Sequence, residues 1–63
     1  MDLITTAEAA QILRTDPATL RYWRYMDTGP RSFRMGRRVM YQREDINSWL
    51  LSQIAATARG GVA

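Results

Sequence analysis

Two residues, Arg14-Thr15, separate a helix-forming stretch from the next helix start in "TTAEAAQILRTDPATLRYWRYMDTGP". Upstream, Thr5 and Glu8 stand three apart, the spacing of a capping box. That box predicts a helix to about Leu13, with Ala9, Ala10, Ile12 and Leu13 on its buried side and Ile4 stapled against Ala9. Downstream, Asp16 supplies a capping side chain and Pro17 suits the first helical turn. The second helix then runs to about Met26, where "DTGP" stops it. Two helices joined so tightly must cross and pack at once, which is a helix-turn-helix arrangement.

Two short alternating runs follow, "SFRM" and "VMYQ", with Gly36-Arg37 between them as a tight turn. Taken run by run, Phe33, Met35, Val39 and Tyr41 form an inner face. Arg34, Arg38 and Met40 point away, and Arg37 sits at the tip. A third helix is expected from about Arg43 to Ala58, with Glu44 and Asp45 favourable at its N-terminus and Ile46, Trp49, Leu50 and Ile54 as its core stripe. The expected architecture is mainly α with a two-stranded β-hairpin wing, a winged helix-turn-helix over residues 1–58. A flexible tail over 59–63 is expected to follow.

Charge placement suggests a partner. Net charge is +3 and lysine is absent. Residues 1–30 hold three arginines and four acids, net −1, while residues 31–45 hold five arginines and two acids, net +3. Positive charge gathered in one segment bears on partner choice more than the total does. On the second helix, Leu20 and Trp23 should face the core. The opposite side is centred on Ala18, Arg21 and Tyr25, with Tyr22 on one flank and Pro17 and Arg24 toward the other. Small residues allow a helix into a major groove, arginine can donate two bonds to guanine, and tyrosine can reach phosphate. A thin hairpin with Gly36 at its tip and Arg34, Arg37 and Arg38 around it suits a minor groove or the backbone. Taken singly, each feature also fits a solvated surface; together they point to double-stranded DNA.

Other classes fit less well. The chain has no cysteine and no histidine, which removes the usual nucleophile, general base and metal ligand, so no enzyme and no cofactor are expected. No apolar run reaches the roughly 18 residues of a membrane span. The N-terminus lacks the basic-then-apolar order of a signal peptide, so a cytoplasmic site without a membrane partner or small-molecule substrate is expected.

The segments "TTAEAAQIL", "DPATLRYWR" and "FRMGRRVMYQREDINSWL" together resemble the small winged helix-turn-helix proteins of the phage excisionase and AlpA type, related to MerR-type DNA-binding domains. The resemblance covers residues 3–51 and is most specific in "MGRRVMYQREDINSWL". It implies a recognition helix bearing Arg21, Tyr22, Arg24 and Tyr25, and a wing bearing Arg34, Arg37 and Arg38. Arg14 stands where the family often has glycine, and Thr15 where it often has an apolar residue. The resemblance further implies a recombination directionality factor. Such a protein binds repeated attachment sites side by side with copies of itself, bends the DNA and steers an integrase toward excision. A small transcription regulator of AlpA or MerR-like type would use the same chemistry. A third reading is a module whose basic face binds an acidic protein.

Overall fold

The computed structural model describes residues 1–61. Six elements follow one another: β1 (Leu3–Thr5), α1 (Thr6–Ile12), α2 (Pro17–Tyr25), β2 (Phe33–Met35), β3 (Arg38–Gln42) and α3 (Arg43–Thr57). The expected tail over 59–63 lies partly outside this range, at residues 62 and 63.

The capping box at Thr5 forms as expected. Glu8 N–H donates to Thr5 Oγ1 at 3.1 Å, and Thr5 N–H donates to Glu8 Oε1 at 2.8 Å. The Thr5 N–H bond, with a smaller contribution from the Thr5 hydroxyl, holds the Glu8 carboxyl below the usual carboxylate range. Asp16 departs from expectation: it occupies the N-cap of α2, but its side chain accepts no capping bond, and its main-chain carbonyl takes the N–H groups of Thr19 and Leu20 instead.

Both helices of the pair end the same way. After α1, Thr15 N–H donates to the Ala10 carbonyl and Arg14 N–H to that of Gln11; after α2, Thr28 N–H reaches Trp23 and Asp27 N–H reaches Arg24. These paired bonds make a Schellman ending, which requires a left-handed residue just past the cap. Here those residues are Arg14 (φ 54°) and Asp27 (φ 56°). The first thus explains the glycine usual at that place in the resembling family. An arginine there carries backbone strain of about 1–2 kcal/mol that glycine avoids, partly offset by the entropy glycine loses on folding. Arg14→Gly is therefore expected to stabilise the domain by about 0.5–1 kcal/mol, visible as a rise of several degrees in melting temperature. An unchanged melting temperature would count against strain at this turn.

The sheet has three strands in the order β1-β3-β2, both pairs antiparallel. The expected two-stranded wing thus acquires a third strand from the N-terminus, with Ile4 opposite Tyr41. Arg43 N–H continues the pairing to the Asp2 carbonyl at 2.9 Å, and Arg43 Nε donates to Asp2 Oδ2 at 2.6 Å. Gly36 (φ 64°) is the first of two turn residues and the only one with positive φ, the pattern of a type II′ hairpin.

This turn corrects the expected faces. It pairs Met35 with Arg38, Arg34 with Val39 and Phe33 with Met40. Paired residues share a face. Arg34 therefore lies with Val39 and Tyr41, whereas Phe33 and Met35 lie with Arg38 and Met40. A two-residue loop inverts the parity of alternation between the strands, so the two runs could not place Phe33 and Tyr41 together.

Ile4, Ala9, Ala10, Leu20, Tyr41 and Ile46 form the buried core, with Ile12, Leu13, Trp23 and Val39 packed around it. Trp23 meets Trp49 of α3 with ring centroids 5.2 Å apart and planes tilted by 44°. Gly29 (φ 78°) lies against Trp23, where an added Cβ would fall 2.9 Å from the tryptophan Cβ. The core stripe expected along α3 holds only in its first half. Ile46 is buried and Trp49 half-buried, but Leu50, Leu51 and Ile54 are 38%, 66% and 52% exposed. The helix outruns the body, and the molecule measures 48 × 25 × 18 Å.

Candidate nucleic-acid interface

Leu20 is buried against the core and turns the opposite side of α2 outward. Ala18, Arg21, Tyr22, Arg24 and Tyr25 are exposed there, and Pro17 is half-buried at the helix start. Arg34, Gly36, Arg37 and Arg38 belong to the hairpin, and all four are exposed. Helix and hairpin meet at an open groove of about 520 Å³ lined by Arg21, Arg24, Tyr25 and Val39. Arg34 pairs with Val39 and so lies on the groove side of the sheet; Arg38 lies on the other side, and Arg37 at the tip. The expectation that Arg34 and Arg38 share one outward face is corrected by the same register.

The five arginines of residues 31–45 divide into two groups. Arg31 bonds to Asp45 at 3.3 Å and Arg43 to Asp2 at 2.6 Å, joining chain segments. Among the described residues these are the only ion pairs, so Arg21, Arg34, Arg37 and Arg38 keep their charge uncompensated by a carboxylate.

Arg24 differs from the other candidates. Its Nη1 donates to Ser32 Oγ at 2.7 Å, tying α2 to the segment that enters β2. The pair borders the buried Tyr41. Burial pushes that phenol up, against the opposite pull of the Arg24 guanidinium and the Ser32 hydroxyl. Arg24 thus reaches the groove while fixing the hairpin relative to the helix. Sequence reasoning missed Ser32 as this anchor and Val39 as a groove wall. Both roles depend on contacts between separate elements, for which the local pattern carries no signal.

Among the described residues there is no group of three or more metal-ligating side chains, and no helix is long and apolar enough to cross a membrane. A family model described as a helix-turn-helix domain matches residues 3–54. No curated protein and no solved structure matches the chain.

Proposed function

The chain belongs to this helix-turn-helix domain family, which is typical of small DNA-binding proteins of the AlpA and excisionase type, and from that premise we propose that it is a sequence-specific excisionase. In this reading residues 1–58 are the binding unit, and α2 enters the major groove through Pro17, Ala18, Arg21, Tyr22, Arg24 and Tyr25. Arg34, Gly36, Arg37 and Arg38 follow the backbone or an adjacent minor groove. The protein binds attachment-site DNA as cooperative copies, bends it and directs an integrase toward excision, without catalysing strand exchange.

The observation that carries this reading is the set of uncompensated arginines on two elements flanking one groove. A major-groove helix and a wing offer both base contacts and phosphate contacts, and the second kind positions the first. Gel shifts on attachment-site DNA, paired with an integrase excision assay, test it. Specific binding with stimulated excision is expected. Specific binding with altered promoter output and no effect on excision would assign the chain to transcription control. Binding that random competitor abolishes would favour an acidic protein partner.

The wing has its own signature. Arg37→Ala or Arg38→Ala should weaken binding to all duplexes alike. Each should also reduce the slope of log affinity against log salt by about one unit, the share of one neutralised phosphate. An unchanged slope would remove that arginine from the interface.

A further inference from the structure

From Ile46 to Ala58 the chain carries no charged residue, although the whole carries +3. Within that stretch Leu51, Ile54, Ala55 and Ala58 fall at helical spacings of three and four and are all exposed, with Leu50 beside them. Such a spacing makes one apolar stripe along a helix. We propose that residues 50–58 form a contact surface for a second copy of this chain, packed antiparallel. This deepens, and rests on, the reading of the protein as several copies on one DNA.

Charge selects both occupant and direction. Two copies of a basic chain meet with least repulsion through the stretch that lacks charge, and an antiparallel pair keeps the two basic bodies at opposite ends. Shape agrees. A two-fold axis between Ile54 and Ala55 sets Ile54 of each copy against Ala55 of the other, and Leu51 against Ala58. Large side chains then meet small ones, and each contact occurs twice, as in an isologous interface. The stripe spans about two helical turns, well short of the roughly 800 Å² per partner of a standard stable interface. Pairing is therefore weak in free solution and becomes effective when DNA holds two copies together. The two-fold axis also requires paired copies to sit on inverted half-sites.

The absence of native cysteine gives a clean test. Ala55→Cys, treated with a short bis-maleimide at high protein concentration, should form a covalent dimer, whereas Gln11→Cys on the exposed side of α1 should not. Adding Leu51→Asp and Ile54→Asp to the Ala55→Cys chain should abolish the dimer while circular dichroism shows the fold retained. On attachment-site DNA, wild type should pass directly to two-copy complexes, and Leu51→Asp/Ile54→Asp should stop at single-copy ones, with two-site affinity reduced by roughly 100-fold. Equal cross-linking at positions 55 and 11, or unchanged cooperativity in the double variant, would overturn the proposal. Failure of wild type to bind DNA would overturn the excisionase reading alone, because cross-linking reads the helix surface without DNA.

Discussion

Leu20→Ala should leave the domain largely unfolded under conditions where the wild type is folded. Leu20 is 1% exposed and is the buried residue through which α2 joins the core. Truncating such a leucine costs about 2–5 kcal/mol, since the lost burial is joined by an unfilled cavity. Globular domains hold only about 5–15 kcal/mol in total, and a 63-residue chain without a disulfide has little reserve. Urea titration followed by circular dichroism measures the effect. A loss below about 1 kcal/mol would mean that α2 is not anchored through this side chain. DNA binding should fall equally on all sequences, because the folded fraction falls.

Arg21→Ala should behave in the opposite way, preserving the fold and changing sequence choice. Arg21 is exposed, lines the groove and has no carboxylate partner among the described residues. If it reads guanine with two hydrogen bonds, its removal costs about 1–3 kcal/mol on the specific site. Random duplex should lose only a phosphate-scale contribution. Competition gel shifts with both DNAs separate the cases, and equal losses on specific and random DNA would refute base reading by Arg21. Arg24→Ala is a useful contrast. Its bond to Ser32 couples helix to hairpin, so its removal should disturb the DNA grip of wing and helix together.

Features governed by near neighbours were legible in the sequence. The Thr5/Glu8 capping box, the Pro17 helix start and the Gly36-Arg37 turn each depend on residues within a few positions. The outward face of α2 followed from the placement of Leu20 and Trp23. What escaped depends on distant partners. "LIT" becomes a strand only because β3, far along the chain, offers its free edge. Leu50 and Ile54 have the spacing of a core stripe, but spacing cannot say how far the body extends beneath a helix. The hairpin faces are a different case. Once Gly36-Arg37 is the turn, Met35 must pair with Arg38, and strict counting across the loop separates Phe33 from Tyr41. For the interface, the sequence marked the arginines but not which of them were already engaged: Arg31 and Arg43 close ion pairs, while Arg24 holds a serine.

The tilted packing of Trp23 on Trp49 gives the protein a built-in optical reporter. The chain has just these two tryptophans, one on the helix proposed to enter DNA and one on the helix that follows the wing. At 5.2 Å their excited states couple, so intrinsic emission and near-ultraviolet dichroism register the docking of α3 on α2 rather than two independent environments. Any rearrangement of that junction when a duplex is engaged can be followed in real time without attaching a label.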